Sequence, residues 1–399
     1  MKIGRFTKTE FLFFVILFII FTQQVPYLNA SVYSFLRNIL YILLSVSILF
    51  SLRKFRMKSS NAFLILFSFV VVYSIIIGVL AYGTNSSFGI INFVIPFGIF
   101  IYSYANSVNR QKLRIYLRTY VFLCVLLSLS IILYSGTGFT ITTTYFLPTK
   151  NQVGPLIGYG AIISIFILFF PSKLGFRTSK VRSLLYLSLY LFLILTILII
   201  RNRSGFLALF LVTSILSVIR LLKVRKVMYI GILIGICLTT LFGLFVFGYL
   251  GEIFNFVYDA LFLNYDISDL NSISAGRIKG YIEGIYYIKD NYLLGEITGP
   301  ILNYTPHNYV INLITEIGVF LSIPIMIFYV VLWIAVLKGL MISKLRNSSF
   351  LLLCGILLLA LIISVFEYTY PYGPGVAQFM LWYLYGNQNR SLNEVGNYE

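Results

Sequence analysis

"MKIGRFTKTEFLFFVILFII" (residues 1–20) decides the fold. A short cationic start, with Lys2, Arg5 and Lys8, runs directly into an apolar stretch that yields only at Gln23-Gln24-Val25-Pro26. A secretory leader would end in small residues at a cleavage point. None stands here, so the stretch predicts a retained membrane helix over 11–28. The pattern then repeats. The 399 residues are 59% hydrophobic and 11% charged, where a soluble domain carries about 25% charged residues. That much apolar surface cannot be hidden in one water-soluble core. Apolar runs of about 18 residues or more cross a bilayer core of roughly 30 Å, and a β-barrel would show short alternating segments instead. The expectation is an all-α polytopic membrane protein forming one membrane domain over 1–399. Twelve spans are predicted: 11–28, 32–52, 61–82, 89–106, 115–135, 152–171, 183–200, 205–220, 227–249, 308–336, 348–366 and 373–386.

Charge orients these spans. Of the 30 Lys and Arg residues, 23 fall on one side of the predicted membrane. They cluster at the N-terminus, in "RKFRMK" (53–58), "NRQKLRIYLR" (109–118), "SKLGFRTSKVR" (172–182) and "RLLKVRK" (220–226), then at Lys338, Lys344, Arg346 and Arg390. The positive-inside rule puts that side, with both termini, in the cytoplasm. The net charge of +18 is thus explained by topology, and nucleic acid is not an expected partner. Cys124, Cys237 and Cys354 lie singly inside apolar runs, which reads as buried small hydrophobes rather than a disulfide or metal framework. The polar tail after 386 is expected to be flexible.

Seven cations remain on the outer side: Arg37, Lys150, Arg201, Arg203, Arg277, Lys279 and Lys289. Three lie in one long outer loop, about 250–307, which also holds seven of the twelve acids. Loops this long in compact proteins are usually functional or disordered. This one contains "GRIKGYIEGIYYI" (276–288), where Ile278, Ile282, Ile285 and Ile288 recur at helical spacing. A short amphipathic helix lying at the outer membrane face is expected.

The loop ends in "TPHNYVINLITEIGVF" (305–320), which contains His307, the single histidine. Thr305 is a good N-cap and Pro306 a favoured first helical residue, so the helix is expected to open at His307. A helix start offers unpaired N–H groups and a positive field to an anion. That field favours a neutral imidazole able to take a proton. Asn308, Asn312 and Glu316, with Thr315 beside them, form one polar stripe. On a continuous helix Glu316 would lie about 12 Å below the mouth, where it needs an internal cavity or a partner. Inter-helix hydrogen bonding is the other account of the stripe, and an interfacial histidine the other account of His307. In "LIIRNRSGFLALF" (198–210) two spans meet at a tight hairpin carrying Arg201 and Arg203. Guanidiniums suit phosphate oxygens; snorkelling to headgroups is the alternative. Gly276 breaks the loop just before Arg277 and could aim it inward. Lys150 and Asn151 cap the outer end of the sixth span. "DISD" (266–269) is a weak echo of a metal motif with no other ligand near. No Walker A, GxGxxG or HExxH pattern occurs, so a nucleotide-sugar donor fits less well than one already in the outer leaflet.

"RSGFLALF" (203–210), "SAGRIKGYIEGIYYIKDNYLLGE" (274–296) and "PHNYVINLITEIGVF" (306–320), in that order, resemble the signature region of the O-antigen ligase/polymerase superfamily, most closely its Wzy-type repeat-unit polymerases. The resemblance covers about a third of the chain. "NYLLGE" (291–296) lacks the proline that usually precedes the leucines. The likeness implies a GT-C-like, metal-independent glycosyltransferase without cofactor in the bacterial cytoplasmic membrane. Its donor would be an oligosaccharide of O-antigen or capsule type on undecaprenyl pyrophosphate, with membrane lipids around it and room for a chain-length regulator as partner. The residues and the likeness together assign Arg201, Arg203 and Arg277 to the pyrophosphate, with Lys150 as a further contact, His307 as base or alternatively as donor to phosphate, and Asn308, Asn312 and Glu316 supporting the site. A ligase shares this chemistry with another acceptor. A transporter or flippase would predict inverted repeats and broken helices near the midplane.

Overall fold

The computed structural model describes residues 7–26, 28–53, 55, 61–82, 93–135, 150–171, 176, 179–223, 255, 258, 268–274, 276–302, 305–341, 348–373 and 375–395. Among these there is no strand. Helices α1 (Lys8–Gln23), α2 (Ala30–Leu52), α3 (Ala62–Tyr82), α4 (Ile95–Ala105), α5 (Arg110–Ser135), α6 (Lys150–Phe169), α7 (Lys180–Ile199) and α8 (Arg203–Lys223) come first. They are followed by α9 (Leu270–Ile273), α10 (Arg277–Asp290), α11 (Tyr309–Met341), α12 (Ser348–Ile363) and α13 (Phe379–Val395). Seven of them, α2, α3, α5, α6, α7, α8 and α11, are long and apolar enough to cross a membrane, which fits a polytopic membrane protein. Their outward faces are apolar: Phe35, Leu49, Phe69 and Leu80 are all exposed. Lipid tails, not water, are the solvent that tolerates such a surface.

Among the described residues the other expected spans are shorter helices, α1, α4, α12 and α13. At 1.5 Å per residue α4 is only about 16 Å long, short of a bilayer core. It lies against α13 and α2 in the middle of the bundle, with Phe100, Tyr102 and Trp382 fully buried. Helices α12 and α13 share that interior, α12 packing on α6, α8 and α11. The stretch expected as a ninth span, 227–249, lies outside the described residues.

The last span begins six residues later than expected, and the first residues of the tail expected to be flexible continue the helix and are packed; 396–399 lie outside the described residues. Asn387 and Gln388 are buried. Asn387 accepts from the Val108 N–H, Gln388 from the Ser349 hydroxyl and Asn389 from the Asn61 amide. Arg390 donates to the Tyr104 and Ala105 carbonyls, which belong to the carbonyl-rich end of α4. Amides that look like a solvated tail are there to satisfy the ends of neighbouring helices.

Helix α11 is the other departure. It breaks at Gly318 (φ 76°, ψ 168°), a conformation essentially reserved for glycine. The loop segment 292–295 fills the break: the Tyr292 carbonyl accepts the Val319 N–H at 2.7 Å. A Cβ on Gly318 would lie 2.2 Å from the Leu293 oxygen, and one on Gly295 2.3 Å from the Thr315 oxygen. Backbone meets backbone because both sides lack a side chain. The part after the break, 319–341, is about 34 Å long and spans a bilayer alone.

Candidate functional site

The loop motif Ser274-Ala275-Gly276-Arg277 builds a helix start. Gly276 takes a left-handed φ of 77°, which favours glycine. The Ser274 hydroxyl accepts the Ile278 N–H at 3.2 Å, and the Asn271 side chain accepts that of Lys279 at 3.0 Å. Asn271 is itself fixed because Asp269 accepts the N–H groups of Asn271 and Ser272. Asp269, the described end of "DISD", is therefore a helix cap. Its companion Asp266 lies outside the described residues.

Helix α10 runs from this cap with Gly280, Gly284 and Tyr287 buried. A Cβ on Gly284 would strike Ile311 and Pro306 within 3 Å, so the glycine face is what docks on the entry to α11. Ile282, Ile285 and Tyr286 point away from the protein. The expected amphipathic helix is present, with Ile282 and Ile285 of its isoleucine row on the uncovered face and Ile278 and Ile288 half-buried.

The helix delivers Arg277 to a residue that the motif reading passed over. Arg277 donates through Nη2 to Glu367 Oε1 at 2.6 Å. His307 Nδ1 stands 3.6 Å from the other oxygen, Oε2, of the same carboxylate. Glu367 is buried, its side chain 5% exposed; those of Arg277 and His307 are 18% and 33% exposed. The edge of the His307 ring meets Tyr368, with centroids 5.8 Å apart. Burial, then the neighbouring Glu367 carboxylate, holds the Tyr368 phenol above its usual range. Glu367 belongs to the turn after α12, and that turn receives the whole entry to α11. The Val365 carbonyl accepts from Asn308 Nδ2 and the Tyr281 hydroxyl, and the Ser364 carbonyl accepts the Tyr309 N–H.

This corrects the expected helix start. The cap is Asn308, not Thr305: its Oδ1 accepts the N–H groups of Val310 and Ile311 at 2.9 and 3.1 Å, and α11 begins at Tyr309. With Ser364 and Asn308 already taking three first-turn N–H groups, the helix mouth is not an anion cradle. Asn308 is committed to structure by both ends of its amide. Asn312 donates to Glu316 at 2.8 Å and Thr315 to the Asn312 carbonyl at 2.8 Å. The polar stripe therefore bonds along its own helix. Glu316 lies about 12 Å below Asn308, as expected, but the helix breaks two residues beyond it, beside the inserted loop.

The remaining cations lie at the same end. Arg201 adopts φ 53° at the hairpin tip. Asn202 is buried there; its Oδ1 accepts the Gly205 N–H and its Nδ2 reaches Asn151 at 3.4 Å. The Asn151 carbonyl in turn accepts the Tyr370 hydroxyl at 3.0 Å, three residues beyond Glu367. The hairpin that carries Arg201 and Arg203 is thus linked to the turn bearing Glu367 through Asn202, Asn151 and Tyr370. Lys150 opens α6; its side chain lies outside the description.

Two clefts lie elsewhere. One of about 630 Å³ is lined by Leu168, Ser179, Lys180, Ser183, Leu184 and Leu187 at the far end of α7. One of about 460 Å³, lined by Ile314, Val319, Ile323, Ile327 and their neighbours, runs along the apolar side of α11. The second has the lining of a lipid-tail groove. Among the described residues no group of three or more His, Cys, Asp or Glu could hold a metal ion.

No protein-family model and no curated protein matches this sequence.

Proposed function

We propose that the chain is a metal-independent glycosyltransferase of twelve spans and GT-C-like architecture in the bacterial cytoplasmic membrane. Both termini are cytoplasmic and the site faces outward. It polymerises lipid-linked repeat units, moving a growing glycan from undecaprenyl pyrophosphate to the next unit. The observation that carries this reading is the meeting of Arg277 and His307 from separate segments over one buried carboxylate.

In the reaction the acceptor hydroxyl gives its proton to the His307 imidazole. Its oxygen bonds to the anomeric carbon of the donor sugar. The bond from that carbon to the pyrophosphate oxygen breaks, and the electron pair leaves with the pyrophosphate. A positioned base contributes about 10²–10⁴ in rate, and one fixed donor to the developing charge about 3 kcal/mol. Arg277 has guanidinium N–H groups beyond the Nη2 bond to Glu367, and Arg201 and Arg203 add positive charge at the same end. Asn312 and Glu316 buttress the α11 entry. A transporter would use a broken helix as an ion or substrate site; in α11 the backbone of 292–295 fills the break, which favours the enzyme.

The test is purified protein in lipid with one defined undecaprenyl-pyrophosphate-linked repeat unit. Mass analysis should show products of two or more units. A substrate recovered unextended, or merely moved across the bilayer, overturns the reading.

A further inference from the structure

We propose that Glu367 is a positioning residue that sets the tautomer of the lone imidazole, holding the His307 proton on Nδ1 so that Nε2 is the basic nitrogen. The inference rests on the transferase reading for its consequence, but not for its test.

The argument is one of donors and acceptors. An ionised carboxylate only accepts, and a guanidinium only donates. Oε1 of Glu367 takes the Arg277 Nη2 proton at 2.6 Å. Oε2 stands 3.6 Å from His307 Nδ1, longer than a formed hydrogen bond. Catalytic contacts in ligand-free sites are often this long. An acceptor opposite Nδ1 favours the tautomer that carries its proton there. Burial of Glu367 with both neighbours more exposed means that the carboxylate is the fixed member and the cation and imidazole are set by it. The surrounding loop is itself pinned: Val365 and Ser364 hold Asn308, Tyr281 and Tyr309 through their carbonyls.

Glu367→Gln makes the idea sharp. The amide keeps the shape but has one acceptor and one donor end. Arg277 can only be met by the oxygen, so the NH₂ must face His307. Nδ1 then becomes an acceptor and the ring proton moves to Nε2, the nitrogen the reaction needs unprotonated.

Because the chain has one histidine, ¹⁵N-histidine labelling of the full-length protein in nanodiscs reports one imidazole without assignment. With the ring neutral, the wild type should show Nδ1 protonated and Nε2 unprotonated. Glu367→Gln should reverse the two, and Glu367→Asp should give a mixture. The same Gln variant should lose about 10²-fold in kcat, with the donor KM changed less than about threefold. A wild-type ring protonated on Nε2, or a Gln variant with the wild-type tautomer, overturns the proposal. The wild-type spectrum decides by itself if the variants do not accumulate. Failure of the wild type to extend a lipid-linked unit would sink the transferase reading while leaving the tautomer result standing.

Discussion

Two buried carboxylates, at opposite ends of the bundle, are treated differently by the same chain. Glu10 pairs with Lys112 and closes a capping box with Thr7, receiving the Thr7 N–H at 2.9 Å and standing over its own helix start. Every partner is local or on the adjacent α5, and the arrangement is complete. Glu367 binds an arginine from one loop and stands near an imidazole from another, and both remain partly exposed. A carboxylate that serves the fold is saturated by its surroundings. On the transferase reading, Glu367 instead holds an arginine and an imidazole toward the reacting groups.

The largest expected effect breaks this comparison directly. Arg277→Ala should lower kcat/KM for polymerisation by about 10²-fold or more at matched folded protein, and should also lower the thermal midpoint in detergent, because it leaves the buried Glu367 carboxylate without its cation. Lys112→Ala should cost stability alone. It leaves Glu10 buried without its cation at a cost of roughly 1–3 kcal/mol, discounted from the fully buried case because Lys112 is itself about a third exposed, while kcat is retained in the folded fraction. Equal losses of activity in both variants at matched folded protein would erase the distinction between the two ends.

Much of this was legible in the residues. The apolar runs gave the helices, and the order Arg277 then His307 gave two members of the cluster. Glu367 was not legible. "VFEYTYP" (365–371) carries no motif, and the acid is assigned its role only by the turn after α12 folding back over α10. Proximity between residues 90 apart in sequence has no local signature. The helix cap was misplaced by three residues because Thr305-Pro306 has the right chemistry for a cap, while Asn308 has the right position, with Ser364 supplying the acceptor that local sequence cannot reveal. The flexible-tail expectation missed Asn387 to Arg390 for a similar reason: they are polar because four helix ends need partners.

The break in α11 tests whether the site end depends on its loop. Gly318→Ala imposes a side chain at φ 76° against the Leu293 carbonyl. The strain is roughly 1–3 kcal/mol for the backbone, with overpacking of similar size added. The outcome expected is a lowered melting temperature together with faster proteolysis within 292–296, as the loop is pushed from the break. Unchanged proteolysis at that loop would show that the packing of 292–295 against α11 is not what holds the site end together. Gly386→Ala, which meets the Phe100 carbonyl at 2.3 Å inside the bundle, serves as the comparison: it should lower the melting temperature without exposing 292–296.

The smallest effect concerns the hairpin. Arg203→Lys keeps the charge and removes the fork that binds two phosphate oxygens at once. If Arg203 meets the donor pyrophosphate, KM for the lipid-linked unit should rise about three- to tenfold with kcat nearly constant, because the contact is made equally in ground and transition states. If the guanidinium merely snorkels to headgroups, lysine does the same work and KM stays put. Asn202→Ala provides the contrast. It takes away the cap on Gly205 and the link to Asn151, so it should weaken the hairpin by about 1 kcal/mol and disturb Tyr370, whose hydroxyl rests on the Asn151 carbonyl. A larger kinetic loss in Asn202→Ala than in Arg203→Lys would mean that the hairpin acts on the Glu367 cluster through this hydrogen-bonded chain, rather than through its own charge.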